Sequence, residues 1–276
     1  MKVFLPAAKF IAVWLALIVI GMLAGMLGAP SAPPITTTDP LTAVQAEIIV
    51  SGLFAALLSI LAAHIKLAFR SKLITLFVIF YGVENVMSEI EAIYFNASLH
   101  LSSSALVYIA VSGALTAAVG AAVTAWLWPA NRAEPMPALS GLAWKVPVII
   151  PLYIVFYLGA GGLIAWQSPV VRAYYANGAH FDMVGLLLLQ VLRGAMWAGL
   201  AAVAVKSVSG SGMFRALMTG LSFAVFAVAP LLYPNAFMPW PVRQMHIIEI
   251  LVSNLMFGYL AASILLSGRK AAKPAP

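Results

Sequence analysis

Eight apolar stretches follow one another along the chain, at 10–27, 45–67, 73–95, 105–128, 146–166, 183–205, 216–233 and 242–266. Each reaches the length, roughly 18 residues or more, at which an apolar run reads as a membrane-spanning helix. The chain is 63% hydrophobic and only 8% charged, against about 25% charged residues in a globular protein. A soluble core has no room for that much apolar surface, so lipid must be the solvent for most of the molecule. The expected fold is all-α: a polytopic membrane protein of about eight transmembrane helices in one domain, with the lipid bilayer as its main partner.

Basic residues predict the orientation, because cytoplasmic loops retain Lys and Arg. Lys2 and Lys9 precede the first span, and Lys66, Arg70 and Lys72 follow the second. Arg132 and Lys145 follow the fourth, Lys206 and Arg215 the sixth, and Arg269, Lys270 and Lys273 the eighth. The alternate connections hold only Arg172 and Arg243. This pattern predicts a bacterial-type inner membrane with both termini cytoplasmic. The net charge of +7 lies in short clusters between apolar runs rather than along one stripe, which argues against nucleic acid as a partner. The first span reads as a retained helix and not a cleaved signal, since Gly28 to Ala32 is interrupted by Pro30 and followed by Pro33. With no cysteine, disulfides, thiolate metal sites and cysteine nucleophiles are excluded.

The two halves echo one another. "FRSKLITLFVIF" from Phe69 matches "FRALMTGLSFAVF" from Phe214, and "SGLFAAL" from Ser51 matches "AGLAAVA" from Ala198. Val111-Ser112-Gly113 pairs with Val252-Ser253-Asn254, and Lys2-Val3 with Lys145-Val146, all at offsets of about 145 residues. The expectation is two parallel four-helix repeats, 1–130 and 143–268.

Ionisable side chains inside a span are expensive, commonly paired and mark functional sites. "YGVENVMSEIEAIYF", residues 81–95, places Glu84 near the middle of the third span, and Arg193 lies near the middle of the sixth. Their depths predict a buried Glu84–Arg193 pair. Glu84, Ser88 and Glu91, at i, i+4 and i+7, should share a helix face, with Glu89 pointing elsewhere. Gln190, Arg193 and Trp197 should share a face of the sixth span, and Arg243, His246, Glu249 and Ser253 one of the eighth. The expected binding pocket therefore comprises Glu84, Ser88, Glu91, Gln190, Arg193, His246 and Glu249. It opens away from the cytoplasm and ends on a Glu84–Arg193 floor. The competing structural role of these groups is to lock helices together.

No cofactor is expected. His246, Glu249 and Glu91 have the donor atoms zinc accepts, but there is no H-E-x-x-H, and His64 lies at the wrong depth to share a haem with His246. Walker and dinucleotide motifs are missing, as is a G-x-S-x-G elbow around "SGSG" at 209–212. "SPVVRAYYANGAHFD", 168–182, reads as a short amphipathic lid with Arg172 turned to a lipid phosphate or an anionic substrate. Trp166 and the pair Tyr174 and Tyr175 read as interfacial anchors, and Gly159, Gly161 and Gly162 as positions for close helix packing. These features suggest a secondary transporter of a small ion or molecule, with Glu84 and Glu249 as proton or cation acceptors and His246 as a relay. The alternatives are an integral-membrane enzyme acting on a lipid or isoprenoid substrate, with Glu249 or Glu91 as general base and the catalytic set otherwise open, or a non-catalytic membrane-complex subunit. The oligomeric state is left open.

Overall fold

The computed structural model describes residues 4–26, 39–130, 132–176 and 182–268. Lys2, the proline-rich stretch after the first span, His180, Arg269, Lys270 and Lys273 lie outside the described residues. The described chain is helical: α1 (Phe4–Met26), α2 (Ala43–His64), α3 (Phe69–Tyr81), α4 (Met87–Tyr94), α5 (Asn96–Leu99), α6 (Ser103–Leu127), α7 (Leu142–Leu163), α8 (Pro169–Ala176), α9 (Met183–Ser207), α10 (Gly212–Val228) and α11 (Trp240–Leu266). Among the described residues, eight helical runs are long and apolar enough to cross a membrane, matching the eight stretches of the sequence.

Local chemistry fixes where several helices begin. Thr42 and Gln45 form a reciprocal capping box at the start of α2. The side chains of Ser102, Asp182 and Ser211 accept the first free amides of α6, α9 and α10, each cap being worth about 1 kcal/mol. The third span is one run, Phe69–Tyr94, but it is not a uniform helix. A π-helical turn, Gly82–Val86, joins α3 to α4, and the Met87 amide bonds back to the Gly82 carbonyl.

The long helices pack as a bundle in two groups. In the first, α1 packs on α2 and α6, and α3 on α6; in the second, α7 packs on α9 and α11, and α10 on α11. Between these groups α2 meets α10 and α3 meets α9. Phe54, Phe80 and Phe226 interlock at the centre, with ring centroids 4.7 to 5.7 Å apart. A second aromatic cluster joins Tyr153, Trp197, Phe223 and Phe257. Helices α10 and α11 approach closely, since a Cβ on Gly258 would stand 2.8 Å from the Gly220 Cα. Only glycine permits that spacing.

Three of the cations that read as loop charges are instead internal fasteners. Lys72, Lys145 and Arg215 sit in the first turn of α3, α7 and α10 and are 2%, 1% and 8% exposed. Lys72 Nζ donates to the carbonyls of Ala62 (3.0 Å) and Trp128 (2.5 Å). Lys145 Nζ donates to those of Leu265 (2.9 Å) and Ser267 (2.8 Å), and Arg215 donates to that of Val205. The last carbonyls of a helix lack intrahelical donors and carry its negative dipole end, so a cation there satisfies both. Arg243 is likewise internal, fully buried against Asp39 and the carbonyls of Leu231 and Tyr233.

Candidate functional site

A cavity of about 610 Å³ lies among the C-terminal ends of α4 and α7 and the N-terminal halves of α9 and α11. Of the residues expected in a pocket, Ser88, Glu91, Arg193, His246 and Glu249 line it, joined by Ser253 and Asn254. Most of the remaining wall is aromatic or aliphatic, including Phe95, Tyr153, Phe156, Trp166, Trp197 and Phe257. Gln190 stands one step behind the wall, fully buried, and holds Arg193.

Glu84 is not at the cavity, and the expected Glu84–Arg193 pair does not form. Arg193 instead meets Glu91, with Nη2 2.7 Å from Oε2. The π turn explains the difference, since each residue added to a wide turn rotates the rest of the helix by about 100°. The face turned to the cavity is thus centred on Val83, Met87, Glu91 and Phe95, with Ser88 beside it and Glu84 turned away. Glu84 Oε2 is buried and has no hydrogen-bond partner among the described residues.

The Arg193 guanidinium is held on several sides. Its Nη1 donates to Gln190 Oε1 at 3.1 Å, and its carbon lies 5.7 and 5.5 Å from the ring centroids of Tyr153 and Tyr157. Tyr157 also donates to the other oxygen of Glu91, Oε1, at 2.8 Å. Arg193 is buried and Glu91 partly exposed to the cavity, and each partner carries a further hydrogen bond, the condition under which such a pair persists.

Across the cavity, His246 Nδ1 lies 2.8 Å from Glu249 Oε2, one turn along α11. The Tyr175 hydroxyl stands 3.2 Å from His246 Nε2. A neutral imidazole that donates from Nδ1 to the carboxylate and accepts at Nε2 from the phenol satisfies all three groups. Burial, then the neighbouring Glu91 carboxylate, push the Tyr175 phenol up, so it keeps the proton it donates. This Tyr–His–Glu chain orients the imidazole through both of its ring nitrogens.

Helix α8 supplies Tyr175 and closes this end of the cavity. Val171 packs with Ala165 and Val242, Tyr174 donates to the Phe237 carbonyl at 2.6 Å, and Trp166 stacks on Tyr175 at 5.8 Å. Arg172 does not reach for an anion: its Nη1 donates to the backbone carbonyls of Trp166 (2.6 Å) and Gln167 (3.1 Å). Arg243, expected on the His246 face, is drawn away by Asp39. The residues that sequence reasoning missed are tyrosines. Tyr153 and Tyr157, with Gly161, follow the i, i+4, i+8 spacing of one α7 face, a signal that was present but unremarkable in an apolar span.

Among the described residues, no group of three or more His, Asp or Glu is arranged to hold a metal ion. No family model, curated protein or solved structure matches the chain.

Proposed function

We propose that this integral membrane protein binds an amphipathic organic molecule in the cavity between α4, α7, α9 and α11. The observation that carries the reading is the contrast between the walls and the polar groups. A space of about 610 Å³ falls in the range of small-molecule sites, which bury an apolar body and orient it with a few polar groups. Here those groups are two preformed pairs, Glu91–Arg193 and His246–Glu249. A bare cation would leave most of this wall unused.

As a secondary transporter of a bacterial-type inner membrane with cytoplasmic termini, the protein would take its ligand from the outer side. Arg193, with Glu91 kept as its counter-ion, would hold the ligand's polar head, and His246 would relay the proton. We infer in support that residues 1–130 and 143–268 are parallel repeats of the kind that carriers use. Both the α2–α3 and the α9–α10 junctions bring a cation of the later helix onto a carbonyl of the earlier one, Lys72 onto Ala62 and Arg215 onto Val205. Ile65 and Val208, which follow α2 and α9, pair with each other. A second reading, an enzyme acting on a lipid or isoprenoid substrate, is favoured by the Tyr175–His246–Glu249 chain.

Reconstituted vesicles test both. Accumulation of an amphiphile driven by an imposed pH gradient, lost in Glu91→Gln and His246→Gln, supports the transporter. Chemical conversion of the amphiphile without a gradient, lost in Glu249→Gln, supports the enzyme. Tryptophan fluorescence that responds to no amphiphile, although Trp166 and Trp197 line the cavity, would overturn the binding reading itself.

A further inference from the structure

A second hollow, of about 270 Å³, lies between α7 and α11 and shares two residues with the main cavity, Phe156 and Ser253. It is a trough on the lipid side of the bundle. Val155 and Leu163 flank it on α7 and Val252 and Met256 on α11, and these four are 66%, 79%, 41% and 50% exposed. Its base on α7 is Gly159, where an added Cβ would meet nothing within 4 Å. The sequence suggests that Gly159 serves close helix packing. The structure shows open space at that position, although a glycine inside a helix costs about 1 kcal/mol relative to alanine.

The polar end of the space has its own unmet chemistry. Arg193, which lines the cavity, carries at Nε a buried donor with no acceptor among the described residues, and the residue is only 4% exposed. Buried donors of that kind call for an acceptor. Glu91 already sits on the Arg193 guanidinium and Glu249 on the His246 ring, so the cavity presents pairs whose counter-groups are in place, which suits an uncharged acceptor better than an anion.

We propose that the trough between α7 and α11 is the site for the hydrocarbon chain of the ligand, and that the ligand is a single-chain amphiphile with an uncharged, hydrogen-bonding head such as an alcohol or ester. The inference rests on the cavity-binding reading and extends it. The head lies in the cavity at Arg193, the chain passes between Phe156 and Ser253, and the tail lies in the trough against lipid. Phe156 then decides which chains pass. Phe156 and Ser253 belong to the walls of both hollows, so a single chain that displaces the Phe156 ring reaches from the cavity into the trough.

The test uses the full-length protein in phosphatidylcholine nanodiscs with two photoreactive monoacylglycerols, one carrying the diazirine near the head and the other near the tail. The head probe should label α4, α9 or α11 at the cavity. The tail probe should label 155–163 and 252–256, and excess unlabelled monoacylglycerol should compete with both. Gly159→Leu fills the trough with a better helix former, so the protein should remain folded while tail labelling falls about tenfold or more, the equivalent of a tenfold loss in affinity. A fatty acid of the same chain length should compete less well. Head labelling with tail labels spread over all lipid-facing helices, or tail labelling indifferent to Gly159→Leu, would overturn the trough and leave cavity binding standing. No labelling at the cavity by either probe would remove both. A dimer by native mass spectrometry that Gly159→Leu converts to a monomer, with the trough unlabelled, would assign the surface to a second copy.

Discussion

Arg193 on α9 reaches Glu91 on α4, with Nη2 2.7 Å from Oε2, and this ion pair ties the third span to the sixth at the edge of the cavity. Removing Glu91 leaves the buried Arg193 without its counter-ion, and removing Arg193 leaves Glu91 unpaired at the cavity wall. Glu91→Gln and Arg193→Met should each destabilise the protein by about 3 kcal/mol, and the double variant should recover part of the loss. Unfolding in mixed micelles measures it. Glu84→Gln combined with Arg193→Met should be additive within about 0.5 kcal/mol; coupling between those two would restore the pairing that the structure does not contain.

Lys72 and Lys145 each satisfy two carbonyls. Replacing either with Met keeps much of the apolar stem but strands those acceptors, at about 1 to 3 kcal/mol. Lys66 serves as the control, since its pair with Glu134 is about half exposed on both sides. Lys66→Met should change stability by no more than about 0.5 kcal/mol. Equal effects from all three would show that the buried ammonium groups do not cap these helix ends.

Tyr175→Phe removes the hydroxyl that meets His246 while keeping the ring against Trp166. Losing a hydrogen bond of about 1 kcal/mol should speed amide exchange in 169–176 about fivefold. Exchange should stay unchanged in α2, which is remote from this lid. An unaltered lid would mean that packing alone holds α8 in place.

Gly220 and Gly113 have no room for a methyl group, since an added Cβ would stand 2.5 Å from the Leu255 carbonyl oxygen at the first and would overlap the Asn85 side-chain amide at the second. Gly220→Ala and Gly113→Ala should cost about 1 to 3 kcal/mol, the more at Gly220, where backbone must move. Gly199→Ala meets nothing within 4 Å and should gain up to about 1 kcal/mol through helix propensity. Thermal unfolding of the three variants checks the order.

The eight spans were legible because lipid leaves a backbone no partner except itself, so apolar length alone reports a helix. The His246, Glu249 and Ser253 face was legible for a related reason: α11 runs unbroken from Trp240 to Leu266, and regular spacing translates directly into direction. The Glu84 face was not, because hydropathy carries no mark of the π turn at Gly82–Val86 that rephases α4. Lys72 and Lys145 misled for the opposite reason. A cation at a span boundary looks the same in sequence whether it faces water or an open helix end, and only the approach of Trp128 and Leu265 decides between them.

The wide turn at Gly82–Val86 also sets the phase between the two ends of one span. Before it, Ile79 and Phe80 are locked, fully buried, into the aromatic centre; beyond it, Glu91 and Phe95 answer to the chamber. Val83 is buried in the turn and Asn85 donates to the Ile109 carbonyl of the neighbouring helix, so the offset is held in place. Removing one residue from the turn would swing Glu91 off the chamber wall while Phe80 stayed where it is, emptying the seat opposite Arg193.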